Sequence, residues 1–401
     1  MTNPLKTALD RSRWFVIAII VTLLFSPPLT NLAELLLVIT IIFNSDLRTR
    51  VMNTRHQSAV IWLLAFYILM TIGMFYSIGP AKETFNMWSG WKKLLFFPLV
   101  LALFDDIAWK RKALDVFIGV SAITAIVSFT LAYFHIYTST AGHELGVIVR
   151  NHSTQGMFFS IAAFSAATLF YFETHKNIAR KAFLIVSSAL LVANIIFIST
   201  GRSGYLVLLV CSVCLLFGVA FSRQKITAKF ILTSLALISL LVAGLALAPS
   251  SNQRIKQAIN EVENAQNTTD YTSMGIRVIF WGNTLELIKQ RPITGYGTGA
   301  FEAAYAHQVA GKTGLEGLIT ADPHNQFMKI LGENGLIGLI IFLGFLVTIF
   351  RMKASTPFRI LGLGAATAWI ATSMANSHFS TFSEGTFIYV WLAVMLSSES
   401  A

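Results

Sequence analysis

The chain of 401 residues has a net charge of +11, yet only 12% of its residues are charged and 55% are hydrophobic. A soluble globular chain has about 25% charged residues, and soluble chains of this length divide into domains with polar surfaces. The mean hydropathy of +0.66 and the repeated long apolar runs therefore predict an all-α, polytopic membrane protein. The basic residues are spread over many short loops and form no patch, so no nucleic-acid partner is expected.

Apolar segments that can span a membrane recur along the whole chain. Twelve candidates lie at 14–27, 31–43, 58–77, 91–104, 114–135, 153–172, 181–199, 204–222, 227–248, 326–350, 357–375 and 379–397. The second and fourth are short for a hydrocarbon layer of roughly 30 Å, so we expect tilted or broken helices there. The sequence thus predicts a transmembrane helical bundle with nine spans in residues 1–248 and three in residues 326–401. Residues 249–325 form one large loop.

Basic residues mark alternate connections between these segments. The intervening short loops hold few of them: Lys82, Lys92, Lys93, Arg150 and Arg202. Six connections have three basic residues each, at 6–13, 48–55, 110–112, 176–181, 223–229 and 351–359. Because loops rich in Lys and Arg stay on the cytoplasmic side, we expect both termini to be cytoplasmic and the 249–325 loop to face outward.

The long loop has a helical pattern of its own. An apolar-rich segment at 274–288 follows Thr272 and Ser273, either of which can cap the start of a helix. The glycines of the next turn, at 291–299, indicate tight backbone, and 300–309 forms a second apolar stretch. We expect a small folded cap of short helices on the membrane surface.

Two arginines on the outward side are candidate phosphate ligands. Arg202 lies in a tight break, Ser-Thr-Gly-Arg-Ser-Gly-Tyr-Leu, between two apolar segments, and an ionisable residue at membrane depth indicates function. Arg277 lies near the start of the predicted loop helix. A guanidinium matches phosphate oxygens with two parallel hydrogen bonds, and a helix start adds positive field. The structural alternatives are a headgroup contact for Arg202 and a salt bridge to Glu286 or Glu302 for Arg277.

His324 is the candidate general base. It lies with Asn325 in Ala-Asp-Pro-His-Asn-Gln, where the long loop ends and the tenth span begins. A histidine can accept a proton near neutral pH, and its polar neighbours distinguish this histidine from the other outward ones. A structural loop histidine is the alternative. His143 and His378 are interpreted as loop residues.

Motifs of several enzyme classes are absent from the sequence. It contains no His-Glu-x-x-His, no Gly-x-Ser-x-Gly, no Walker loop and no dinucleotide-binding glycine fingerprint. Cys211 and Cys214 lie in an apolar run without the polar groups that stabilise a thiolate. We therefore expect no metal ion and no other cofactor. A donor substrate must then be activated already, and lipid-linked diphosphates meet this requirement outside the cytoplasm.

Together these motifs resemble the superfamily of O-antigen ligases, O-antigen polymerases and protein O-oligosaccharyltransferases. The resemblance rests on the arginine break at 199–206 and on Gly275-Ile-Arg with the glycine-rich turn after Pro292. It rests also on His324-Asn, followed after nine residues by Gly335-Leu-Ile-Gly. It covers residues 145–345, whereas the first 140 residues are similar in hydropathy alone. Size and the single large outer loop are most similar to O-antigen ligase.

For this chain the resemblance implies transfer of a whole glycan from undecaprenyl diphosphate to a sugar of the lipid A core. The reaction would take place at the periplasmic face of a bacterial inner membrane, without a metal ion and with inversion at the anomeric carbon. Arg202 and Arg277 would bind the diphosphate, and His324 would be the essential histidine.

Arg150, Lys92 and Asn325 are further candidates for binding the diphosphate or the acceptor. Arg150 precedes the sixth span and Lys92 begins the fourth, where interfacial anchors are the alternative. An O-antigen polymerase shares the same motifs and is an alternative function. A transporter or flippase of anionic lipid is an alternative from another class, although the sequence has no two-half repeat and its cations lie at one face.

Labelling of introduced cysteines tests the predicted orientation. Asn267→Cys should react with a membrane-impermeant maleimide in intact spheroplasts, whereas Ser398→Cys should not, because the first is predicted outside and the second inside. Cys211→Ala and Cys214→Ala in the same chain remove the native thiols. Labelling of Ser398→Cys without Asn267→Cys would reverse the orientation.

Overall fold

The computed structural model of the chain describes residues 4–137, 145–173, 177–199, 201–223 and 273–399. The predicted ninth span and the boundary between 248 and 249 lie outside the described residues. The described α-helices are α1 (Pro4–Thr22), α2 (Pro27–Ile42), α3 (Ser45–Asn53), α4 (Ser58–Phe75), α5 (Ala81–Gly90), α6 (Phe96–Leu101), α7 (Ile107–Tyr133), α8 (His152–Phe172), α9 (Ile178–Phe197), α10 (Arg202–Arg223), α11 (Ser273–Gln290), α12 (Phe301–Gln308), α13 (Gln326–Arg351), α14 (Phe358–Ser373) and α15 (Phe382–Leu396).

The prediction of an all-α, polytopic membrane protein is confirmed. Six described helices are long and apolar enough to cross a membrane, namely α4, α7, α8, α9, α10 and α13. A further candidate is the α2–α3 pair, which is bent by 101°. The number of twelve spans stays a prediction. Helices α11 and α12 occupy the two loop segments whose pattern predicted short helices.

Of the two segments that are short in sequence, the one at 31–43 lies in a continuous helix that is followed by a sharp bend, and the one at 91–104 is broken. Helix α2 ends at Ile42 and turns sharply into α3. The segment at 91–104 begins with a 3₁₀ turn, Trp91–Leu95, and continues as α6 instead of forming one long helix. Irregular backbone is tolerated at membrane depth where protein covers it, and Trp91, Leu94 and Phe97 are indeed buried.

Helix α15 lies at the centre of the bundle. Every residue from Ser383 to Leu396 is buried, as expected for a helix that is apolar on all sides. The ring of Phe387 stacks on Trp369 of α14 at 5.6 Å and on Trp391 at 5.2 Å between centroids. The polar ends of α15 therefore have fixed positions relative to the surrounding helices.

A break in α13 accommodates the glycine-rich turn that the sequence marks. Gly335 has φ 61° and ψ −163°, which interrupts the helix. The turn at 292–297 pairs with the backbone freed by the break: Leu336 N donates to Pro292 O at 2.8 Å, and Gly297 N donates to Glu333 O at 2.8 Å. The glycine-rich turn and the break in α13 thus form one structural unit, in which the turn supplies hydrogen-bond partners to the interrupted helix.

Alanine at Gly335 should destabilise the protein. Its backbone angles are open essentially to glycine alone, at a cost of about 1–3 kcal/mol for other residues. An added Cβ would also lie 2.2 Å from Ile293 O. We expect Gly335→Ala to lower the thermal midpoint of the detergent-purified protein. Gly282→Ala in α11, where an added Cβ meets nothing within 4 Å, should leave it unchanged or raise it. Equal midpoints for the two variants would contradict the assigned break.

Candidate functional site

The arginine break is the place where α10 begins against α8. Arg202 is the first residue of α10, and its side chain is half-buried. A Cβ at Gly201 would lie 2.6 Å from Ser153 Cα, and one at Gly204 would lie 2.7 Å from Gly156 Cα. Glycine is therefore needed for the two helices to approach so closely. The small residues of this motif therefore set the position of Arg202 relative to α8.

A buried polar network positions the neighbouring turn. The side-chain oxygen of Gln155 in α8 accepts a hydrogen bond from Val149 N at 3.1 Å. Its amide nitrogen donates to Ser199 Oγ at 3.0 Å and to Asn194 Oδ1 at 3.2 Å. Because a buried amide is costly unless it is satisfied, this network fixes the turn that carries Arg150 against the end of α9.

Arg150 faces a buried acid at the start of α15. Its Nη1 lies 3.7 Å from Oε2 of Glu384, whose side chain is 5% exposed while that of Arg150 is 53% exposed. The hydroxyl of Thr154 donates to the other oxygen of Glu384. Arg150 thus has an acid partner as well as an open side toward solvent, and its predicted role in binding substrate stays a prediction.

Asp322 fixes the backbone around His324. One carboxylate oxygen accepts the His324 N–H at 2.7 Å and the Ser377 hydroxyl at 2.7 Å. The other lies 3.6 Å from Lys329 Nζ. His324 has φ 55°, a left-handed conformation that is uncommon outside glycine and asparagine. Asp322 therefore presents the imidazole at a defined, half-buried position.

Helix α11 of the long loop packs directly on this segment. The ring of Phe280 is stacked on His324, with centroids 6.3 Å apart and planes inclined by 16°. Trp281 Nε1 donates to Pro323 O at 2.9 Å. Arg277 is one helical turn before Trp281, so it lies on the same side of α11. Arg277 thus lies on the side of α11 that contacts Pro323, and its predicted role with His324 stays a prediction.

The segment at 374–381, between α14 and α15, joins the separate pieces. Asn376 Nδ2 donates to Ser203 Oγ at 3.4 Å, next to Arg202, and Gln326 N donates to Asn376 O at 3.0 Å. The side chain of Asn325 is engaged here too: its nitrogen donates to Met374 O at 2.9 Å, and its oxygen caps the start of α13. Within the described residues Asn325 thus acts structurally, and its predicted contact with substrate stays a prediction.

Lys93 reaches into this region, and the predicted contact of its neighbour Lys92 with substrate stays a prediction. Lys93 is 4% exposed, and its Nζ donates to the carbonyl oxygens of Ser380 and Thr381 at 2.5 and 2.6 Å. Lys92 is exposed. The 3₁₀ geometry of Trp91–Leu95 determines which of the two neighbouring lysines points inward.

His378 lies in the loop between α14 and α15, as interpreted from the sequence, but its side chain is buried, which the sequence interpretation did not anticipate. It is 6% exposed, and among the described residues neither ring nitrogen has a hydrogen-bond partner. Burial lowers its pKa, while the charges of Glu384 and Asp322 act in the opposite direction and that of Arg277 adds to the lowering. The available signal was its place in the polar run Asn-Ser-His-Phe-Ser-Thr between two apolar helices.

No group of three or more His, Cys, Asp or Glu side chains that could hold a metal ion occurs in the part of the chain that the structure describes. The arrangement instead offers cations and an imidazole at one end of the bundle. Such an arrangement can bind an anion through charge-assisted hydrogen bonds and can accept a proton nearby.

Comparison with known proteins supports the resemblance found in the sequence. Residues 187–343 match the family model described as O-Antigen ligase. An uncharacterized protein of Haemophilus influenzae is 26% identical over 337 residues, which cover 82% of this chain and 80% of that protein. The match to the family model includes Arg202, Arg277 and His324. Over residues 187–343 this match confirms the resemblance to the superfamily of O-antigen ligases and polymerases found in the sequence.

The buried state of His378 should make stability depend on pH. The unfolded chain binds a proton at this histidine near pH 6.5, whereas the folded protein binds it only at lower pH, because the folded pKa is lowered. Its contribution to stability is therefore present above about pH 6.5 and declines as the pH falls, by at most about 1.4 kcal/mol per pH unit.

Thermal midpoints of the detergent-purified protein between about pH 5 and pH 7.5 measure this effect. The midpoint of wild type should fall more steeply with acidification than that of His378→Gln. His56→Gln, at an exposed histidine, is the matched control and should keep the wild-type slope. Identical slopes for His378→Gln and wild type would show that His378 has the same pKa in the folded and the unfolded protein.

Proposed function

We propose that this protein is an O-antigen ligase. It would transfer a glycan from undecaprenyl diphosphate to a sugar of the lipid A core at the periplasmic face of the bacterial inner membrane, without a metal ion and with inversion. The observation that supports this most is the packing of α11, the helix of Arg277, on Pro323 and His324. A hydrogen bond between Asn376 and Ser203 links the neighbouring 374–381 segment to the start of α10, where Arg202 lies.

The two arginines have the chemistry that the donor requires. The diphosphate leaving group gains negative charge as its bond to the anomeric carbon breaks. Arg202 and Arg277, held by the start of α10 and by α11, would stabilise that charge. Fixed donors do this without reorganising during the reaction. In other transferases a metal ion has this role, and here the guanidinium groups would replace it.

His324 is the proposed general base. Its imidazole would take the proton of the acceptor hydroxyl while that oxygen forms its bond to the anomeric carbon. The bond between that carbon and the diphosphate oxygen breaks on the opposite face, and the lipid diphosphate leaves with its electron pair. Asp322 would serve as a positioning residue, because it binds the backbone N–H of His324.

Variants of these residues separate donor binding from chemistry. Arg202→Ala and Arg277→Ala should weaken donor binding and slow transfer together, since each removes a charged hydrogen-bond donor to the diphosphate. Lysine should substitute poorly, because an ammonium lacks the two-pronged geometry. His324→Ala should keep donor affinity and lose about 10²–10⁴-fold in rate, as expected for a lost base.

Donor affinity and initial transfer rate of the purified variants provide the measurement. Lys289→Ala is the matched control, because this exposed cation lies on α11 with Arg277 and pairs with Glu286 instead of the site. If His324→Ala binds donor as poorly as the arginine variants, the histidine is a diphosphate ligand. If it transfers glycan at the wild-type rate, it is a structural residue.

Expression in a ligase-deficient strain that makes O antigen tests the function as a whole. A ladder of long lipopolysaccharide is the result expected of a ligase. Polymer that accumulates on undecaprenyl diphosphate, without attachment to lipid A, would identify a polymerase. Movement of lipid across the membrane with no new glycosidic bond would identify a transporter.

A further inference from the structure

A cavity of about 300 Å³ adjoins the segment that Lys93 binds. Helix α2, the end of α5 and the start of α15 contribute to its wall, which includes Asn31, Glu34, Ser89, Lys92 and Lys93. The volume lies at the lower end of the range of roughly 300–1,000 Å³ that is typical of small-ligand sites. It is large enough for the polar head of a lipid.

Glu34 is the unusual residue in this wall. Its side chain belongs to the apolar helix α2 and is 5% exposed. The cations that face it are Lys92 and Lys93, and neither lies within ion-pairing distance. Among the described residues no group pairs with or hydrogen-bonds to its carboxylate. A buried acid in apolar surroundings is costly without a partner, so a ligand with a cationic or hydrogen-donating group would satisfy it.

The lysines offer the opposite charge in the same cavity. Lys92 is exposed and keeps its ammonium available. Lys93 gives two of its three N–H donors to the carbonyls of Ser380 and Thr381, which leaves one donor. Two cations and one acid in one cavity fit a ligand that has both an anionic and a cationic group. A purely anionic ligand such as an isoprenyl diphosphate could bind the lysines but would leave Glu34 without a partner.

We propose that this cavity binds the phosphoethanolamine headgroup of a membrane phospholipid, with the phosphate on Lys92 and the ammonium on Glu34. The exposed side chains of Leu32 and Leu35, beside Glu34 on α2, offer apolar surface to the acyl chains. Because Lys93 and Ser380 belong to both the cavity wall and the candidate site, a bound headgroup would brace the segment that leads to Glu384. The inference goes beyond the proposed transfer reaction and does not depend on it.

Lipid retention by the detergent-purified full-length protein tests the proposal. Native mass spectrometry would be recorded with short-chain phosphatidylethanolamine, the matching phosphatidylglycerol, free phosphoethanolamine and a short isoprenyl diphosphate. Wild type should bind phosphatidylethanolamine about tenfold or more tightly than phosphatidylglycerol, since a hydrogen bond between charged groups contributes roughly this factor. Free phosphoethanolamine should compete weakly, because it lacks the acyl chains. The diphosphate should not compete.

Variants test which side chain binds each charge of the headgroup. Glu34→Gln should abolish the preference for phosphatidylethanolamine, and Lys92→Ala should weaken binding of both lipids. Gly90→Trp, at a wall position where an added Cβ meets nothing within 4 Å, should block binding without disturbing the fold. Lys82→Ala and Glu83→Gln, on the exposed part of α5, are the matched controls and should bind as wild type does.

Besides retained lipid binding in Gly90→Trp, three results would overturn the proposal. One is equal affinity of wild type for the two phospholipids, and another is an unchanged preference in Glu34→Gln. The third is displacement of phosphatidylethanolamine by the isoprenyl diphosphate, which would assign the cavity to the donor. Gly90→Trp keeps the test decisive if the other variants fail to fold, because retained lipid binding in that variant would exclude the cavity. None of these readouts requires glycan transfer, so they remain valid if the proposed reaction is wrong.

Discussion

The carboxylate of Asp322 is the interaction on which the candidate site depends. It joins His324, the 374–381 segment through Ser377, and α13 through Lys329. Without these bonds the left-handed backbone at His324 would cost about 1–3 kcal/mol with nothing to offset it. Three parts of the chain thus have their relative positions set by one side chain, and Pro323 adds the contact with Trp281 of α11.

The need to satisfy polar groups within the protein also explains the irregular backbone nearby. Membrane helices must satisfy every backbone N–H and C=O within the protein, and breaks are possible where another segment supplies the partners. The turn at 292–297 supplies hydrogen-bond partners to the backbone at the Gly335 break. The carbonyls of Ser380 and Thr381 accept hydrogen bonds from the ammonium of Lys93. The breaks therefore create places at the end of the bundle where loops, helix ends and charged side chains meet.

Hydropathy predicted the helical class and motif order predicted the family resemblance, because both depend on local sequence, whereas the predicted site residues stay predictions. Arg202 follows from a glycine-rich break whose function is close helix packing, and a pattern of small residues is visible without a structure. His378 and the choice of Lys93 over Lys92 were not predictable. Their burial arises from the packing of α14 and α15 against distant helices and from a 3₁₀ turn, neither of which leaves a periodic signal.

The two ends of the bundle handle charge differently. At the end predicted to be cytoplasmic, ion pairs are short: Arg13 and Arg50 lie 2.7 and 3.0 Å from Asp105, and Lys110 lies 2.7 Å from Glu399. At the candidate site the pairs of Arg150 with Glu384 and Lys329 with Asp322 are 3.7 and 3.6 Å long.

Charge-assisted hydrogen bonds reach full strength at about 2.7–2.9 Å, so the longer pairs balance charge without using all the N–H donors of the cations. Pairs of this kind hold the folded, unliganded protein together, because the buried acids compensate part of the positive charge. They also leave directed donors for an incoming anion, which can contact Arg150 from its exposed side while Glu384 stays in place. A diphosphate would then meet hydrogen-bond donors that already point toward it, and its binding would require little reorganisation of the protein.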